Sequence, residues 1–257
     1  MLDGLAAGPR EAWLRLRDEL QDILGPDLVA IWAYGSLVGE DRPIRPADLD
    51  THVVLRKRPS AAAAERIQAA LEADPDTEFD AWFITLEDAR RGEQPAHAFR
   101  EGRRDTSWAV HRAHWLAGRV VTLFGSEPSD VVLPPAWDQI QAELDRELEH
   151  IERHVVEGDT DPYEASYAVL NGSRILWSLA TRDPVRSKRE AGAWALANLP
   201  ERWHPAIAAA LRAYDEQQTR DEEALLSAEM APFTAMVREQ LPRTNGHAGD
   251  APRWSGY

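Results

Sequence analysis

The sequence predicts an α+β protein, with a mixed sheet flanked by helices in front and an α-helical bundle behind. Short apolar runs bounded by Gly or Pro, the pattern of buried strands, occur in the first half. Helical spacing of apolar residues fills the second half. Between them Ser126 to Pro135 is rich in Pro, Ser and Asp, the composition of a linker. The expected division is a first domain over 1–130, a helical domain over 136–241 and a disordered polar tail over 242–257.

The first helix is expected from Pro9 to Leu24, where Trp13, Leu16, Leu20 and Leu24 recur on one face and Gly25-Pro26 stops it. Leu28 to Tyr34 is short, apolar and closed by Gly35, and reads as a buried strand. A polar loop follows from Gly39 to Ala47. Asp48 to Leu55 reads as a second strand with Thr51, Val53 and Leu55 on one face. Ala61 to Ala73 is an amphipathic helix, Phe79 to Thr85 a third strand, Asp105 to Ala117 a helix and Arg119 to Phe124 a short strand. On the Asp105–Ala117 helix, Trp108, His111, His114 and Trp115 share a face and read as packing residues. The bundle helices are Trp137 to Val156, Pro162 to Ala180, Lys188 to Leu199, Trp203 to Asp215 and Asp221 to Gln240.

Composition narrows the function. The 257 residues carry a net charge of −15, which disfavours a nucleic-acid partner because phosphate binding needs basic surface. An acidic surface suits a small cationic ligand. Cysteine is absent, so disulfides, thiolate zinc sites and cysteine nucleophiles are excluded. No apolar run reaches the length of a membrane span, and the first residues lack the pattern of a signal peptide. A cytoplasmic protein without a membrane partner, monomeric or homodimeric, is expected. Only two of the 29 basic residues are lysines, Lys57 and Lys188.

The chemistry is concentrated between Tyr34 and Asp50. A strand ends at Gly35-Ser36, and after a spacer Asp48-Leu49-Asp50 opens the next strand. Glycine lets backbone approach a phosphate without a Cβ in the way. Serine adds a hydroxyl, and a turn aims backbone N–H groups at an anion. Residues two apart on a strand share a face, so Asp48 and Asp50 converge. Paired carboxylates suit a hard cation such as Mg²⁺.

This segment resembles the signature of the nucleotidyltransferase superfamily, whose fold is like the palm-type core of DNA polymerase beta. The resemblance implies a third carboxylate on a neighbouring strand. Asp80 on the Phe79–Thr85 strand is the first choice, with Glu78 on the same face as the alternative. Further along, Tyr167 to Leu179, Ser187 to Pro200 and Ile207 to Tyr214 resemble the C-terminal domain of the streptomycin/spectinomycin (aminoglycoside 3″/9) adenylyltransferases.

That resemblance implies Mg²⁺-dependent transfer of AMP from ATP to a hydroxyl of an aminoglycoside-type antibiotic. Gly35, Ser36 and Lys188 would hold the triphosphate, and Asp48, Asp50 and Asp80 two Mg²⁺ ions. Asp80 or Glu78 would be the catalytic base, where the family carries a glutamate. Glu164 falls at an acidic family position that contacts the drug, and Asp161 lies in the same carboxylate-rich stretch. Members that accept streptomycin carry a tryptophan where this chain has Val155. That departure keeps open transfer to another small molecule or to a protein side chain. The remaining alternative is a non-catalytic regulatory or antitoxin-like protein built on the same fold.

Overall fold

The structure is a computed structural model that describes residues 5, 7–38, 48–157 and 162–241. The expected loop over 39–47 and the tail over 242–257 lie outside the described residues. The chain divides into two compact units, with the change from one to the other at Pro135–Ala136.

The first unit is built on four strands: β1 (Leu28–Ala33), β2 (Thr51–Leu55), β3 (Ala81–Thr85) and β4 (Val121–Gly125). Their order across the sheet is β3-β2-β1-β4. β1 runs antiparallel to β2 and β4, while β2 and β3 are parallel. The parallel pair needs a crossover, supplied by α2 (Ala61–Leu71), whose first turn is capped by Ser60 accepting the Ala63 N–H.

Alternation along the strands divides their side chains between two apolar layers. On one face Ile31, Ala33, Val53, Leu55, Ala81 and Phe83 pack with Trp13, Leu16, Leu20 and Ile67 of α1 (Ala7–Leu24) and α2. On the other face Trp32, Tyr34, Val54 and Ile84 pack with Trp108 and Trp115 of α4 (Trp108–Leu116). The short α3 (Leu86–Arg91) follows β3 and is capped by Thr85.

Two expectations change here. The Ser126–Pro135 stretch is not a free linker. It contains α5 (Pro128–Val131), and Val131 and Val132 are buried in the α4-side layer. The helix expected from Asp105 begins only at Trp108, because the Asp105 carboxylate accepts the Ser107 N–H and holds the chain in a turn before the helix.

The second unit contains α6 (Trp137–Glu157), α7 (Pro162–Thr181), α8 (Lys188–Asn198), α9 (His204–Tyr214) and α10 (Arg220–Gln240). Gly172 of α7 lets α10 approach closely: a Cβ there would lie 2.9 Å from the Phe233 ring. Capping boxes, Ser187 with Glu190 and Thr219 with Glu222, start α8 and α10. Arg238 of α10 ties α6 to the bundle, donating to Glu152 at 2.7 Å and to Asp145 at 2.6 Å. Among the described residues no helix is long and apolar enough to cross a membrane.

Candidate active site

β1 ends at Ala33, and Gly35-Ser36-Leu37 forms a single 3-10 turn. Gly35 has φ +79, and a Cβ added there would collide with the Asp50 carboxylate. Glycine is therefore required twice, by backbone conformation and by the carboxylate against it. The Tyr34 N–H donates to the Asp50 carbonyl at 3.1 Å, which fastens the turn to the segment carrying the aspartates.

That segment runs beside residues 78–80 in the same parallel register as β2 and β3. The Leu49 N–H donates to the Glu78 carbonyl at 2.8 Å, and the Thr51 N–H to the Asp80 carbonyl at 2.9 Å. Thr51 pairs with Ala81 in the ladder, so continuing the register sets Asp50 beside Asp80 and Asp48 beside Glu78. Pairing and alternation together bring carboxylate oxygens of Asp48, Asp50 and Asp80 within 4.8 Å of one another. Asp80 is the acidic residue of β3's approach that joins this cluster; Glu78 is exposed at its edge.

The electrostatics follow from crowding like charges. Asp80 is pushed up to about 6, first by lost hydration and then by repulsion from Asp48, with His111 and Arg100 opposing. The residue as a whole is exposed, so its hydration loss is partial and the repulsion carries correspondingly more weight. Glu78 is also raised, by burial and by Asp48. The Tyr34 hydroxyl is held well above the ordinary phenol value by burial and then by Asp50 and Asp80, so it stays protonated beside the cluster. Three all-oxygen donors on a rigid sheet fit a hard divalent cation, which would relieve the repulsion.

A buried polar group not expected from the sequence lies on the same sheet face. His52, two residues beyond Asp50, faces Asp105 with Nε2 3.0 Å from Oδ2. His111 Nδ1 is 3.1 Å from the same oxygen. Trp108 and Trp115 are core residues as expected from the sequence, whereas His111 engages a carboxylate rather than serving only as packing. His52 was readable in principle, since it shares the parity of Asp48 and Asp50. Asp105 had no such signal.

The remaining expected residues are carried by the second unit. Lys188 opens α8, its Nζ 4.5 Å from the Tyr167 ring centre and 5.8 Å from that of Tyr214. The Tyr167 hydroxyl donates to Glu147 at 2.8 Å. Glu164 lies in the first turn of α7 and is half-buried. Asp161 lies outside the described residues.

A mixed four-stranded sheet that presents three carboxylates against a Gly-Ser turn, followed by a helical unit, is a nucleotidyltransferase fold. Residues 135–240 match the family model described as the aminoglycoside adenylyltransferase C-terminal domain. The fold is similar to the crystal structure of spectinomycin adenyltransferase AAD(9) from Enterococcus faecialis with ATP and spectinomycin. That match has a TM-score of 0.69 at 12% identity and covers 89% of this chain and 98% of that one. Together these findings give the chain the fold of that adenyltransferase and, over residues 135–240, a match to the C-terminal domain family. No curated protein sequence matches it.

Proposed function

We propose that the protein transfers AMP from Mg²⁺-ATP to a hydroxyl of an aminoglycoside-type antibiotic, of the streptomycin or spectinomycin kind. The observation that carries this reading is the gathering of Asp48, Asp50 and Asp80 against a turn where only glycine fits. The family match of the helical unit, and the ATP and spectinomycin named with the solved AAD(9) structure, point to nucleotide and acceptor class.

In this reading Gly35 and Ser36 supply backbone and hydroxyl donors to the triphosphate. Asp48, Asp50 and Asp80 hold Mg²⁺, which would neutralise charge accumulating at the α-phosphate. Asp80 accepts the proton of the attacking hydroxyl. Glu78, at the edge of the cluster and raised by burial and by Asp48, is the alternative base. The resemblance assigns Lys188 to the phosphates and Glu164, with Asp161 in the same carboxylate-rich stretch of sequence, to a cationic acceptor, where opposite charge favours recognition: Glu164 by family position, Asp161 by composition alone.

The test is incubation with Mg²⁺-ATP and a panel of aminoglycosides, read by mass for one added AMP. An adduct that disappears in Asp48→Asn supports the reading. Pyrophosphate released only with a cell extract would move the acceptor to another small molecule or a protein. Full activity in Asp48→Asn would refute the metal assignment, and no turnover with any acceptor would leave a non-catalytic protein.

A further inference from the structure

We propose that His52, Asp105 and His111 form a binding site for a borderline divalent ion, with Zn²⁺ the best chemical fit, separate from the oxygen-only cluster of Asp48, Asp50 and Asp80. The three ligand atoms come from different parts of the first unit: β2, the segment before α4, and α4 itself. They lie within 4.8 Å of one another. His52 Nε2 and His111 Nδ1 stand 3.0 and 3.1 Å from Asp105 Oδ2. Metal–ligand bonds of about 2.0–2.1 Å place neighbouring donors of an octahedral or tetrahedral ion roughly 2.9–3.4 Å apart, so both spacings suit a shared ion.

The site is held in place on every side. Asp105 Oδ1 is occupied by the Ser107 N–H at 2.9 Å, and the Asp105 N–H donates to the Pro95 carbonyl at 3.1 Å. The other oxygen, Oδ2, is thereby turned to the two imidazoles. The His52 ring is wedged against Trp115 at 4.8 Å and Tyr34 at 5.2 Å, and the His111 ring stacks on Trp115 at 5.7 Å. Such fixed rotamers lower the ordering cost of binding.

Charge and donor type give the reason. Asp105 is 2% exposed among aromatic rings, and a carboxylate buried there needs a positive partner. Two imidazole nitrogens with one carboxylate oxygen prefer Zn²⁺ over Mg²⁺ and Mn²⁺, which favour oxygen donors. The His111 side chain is 23% exposed and offers a route for the ion and room for a water ligand.

The experiment uses the whole chain, stripped with a chelator and reloaded with Zn²⁺ or Co²⁺ in excess Mg²⁺ to occupy the oxygen cluster. Elemental analysis should find one Zn²⁺ per chain, retained in the Asp48→Asn/Asp50→Asn double variant and lost in His111→Ala. The Co²⁺ form should show visible d–d absorption that disappears in the same variant. His52→Leu, near in volume, gives a second way to remove a ligand, and circular dichroism checks that both variants are folded. No bound Zn²⁺ or Co²⁺ in the wild type would overturn the site and leave Asp105 satisfied by its hydrogen bonds to His52 and His111. Zn²⁺ retained by folded His111→Ala would overturn it too, placing the ion elsewhere, for instance on His150 and His154, whose rings stand 4.5 Å apart on α6.

Discussion

Binding of a divalent ion to Asp48, Asp50 and Asp80 should release a proton whose amount depends on pH. The Asp80 carboxyl is pushed up to about 6, by lost hydration and then by Asp48. An ion can enter that cluster only by displacing whatever proton Asp80 holds. A group of that pKa is about half protonated at pH 6 and about 1% protonated at pH 8. Mn²⁺, used as a probe for the oxygen cluster, should therefore release about 0.5 proton per ion at pH 6 and almost none at pH 8. Below pH 6 this one group should weaken affinity by up to about tenfold per pH unit.

The assay is calorimetric titration in two buffers of different ionisation enthalpy, which gives the proton count directly. Asp80→Asn should bind Mn²⁺ more weakly and without the extra proton at pH 6. Equal release at pH 6 and pH 8, or unchanged release in Asp80→Asn, would refute the assignment. The same shift has a consequence for the metal-free fold. A carboxyl raised above its unfolded value favours the folded state while it is protonated. Its contribution is fully present below the ordinary aspartate range and is lost as pH rises through about 6. Because Asp80 retains solvent contact, this stability effect is small beside the effect on metal affinity.

Gly35→Ala should cost about 1–2 kcal/mol in urea unfolding from the left-handed backbone alone, and should weaken Mn²⁺ binding at least ~10-fold because the new Cβ displaces the Asp50 carboxylate. Arg238→Ala should lower stability by about 2–3 kcal/mol, leaving Asp145, only 6% exposed, and Glu152 without their shared guanidinium; an unchanged urea midpoint would show that the two carboxylates find other partners. Lys188→Ala should raise the Kd of Mg²⁺-ATP by about 10-fold, the worth of one charge-assisted hydrogen bond, while thermal stability falls little because its ring contacts at Tyr167 and Tyr214 are weak ones. Equal ATP affinity in that variant would remove Lys188 from the nucleotide site.

How much of the site could be read from sequence depended on the sequence distance between the residues that meet. Gly35, Asp48 and Asp50 follow from two adjacent strands and one turn, where alternation alone decides which side chains share a face. Asp80 needed only the next strand, and its parallel register with Asp50 then settled which acidic residue joins the cluster. The His52–Asp105 contact spans 53 positions, and no local period connects them. Asp105 was hidden further because the apolar period of Trp108 to Leu116 extends back to it in the sequence. In the fold its side chain instead accepts the Ser107 N–H, and the helix starts only at Trp108. A buried carboxylate that delays the start of a helix and faces two imidazoles departs from the local apolar period, and such conflicts gather at functional sites. The linker around α5 failed for a related reason: its Pro and Asp belong to a helical turn, while Val131 and Val132 supply the apolar contact that draws it onto the sheet. Composition registered the first and missed the second, because two valines form no period of their own. The same limit explains why the acceptor is harder to name than the reaction. Strand alternation forces the carboxylates together wherever the chain folds this way, whereas the acceptor role proposed for Glu164 on α7 rests on the resemblance, and no spacing rule leads to it.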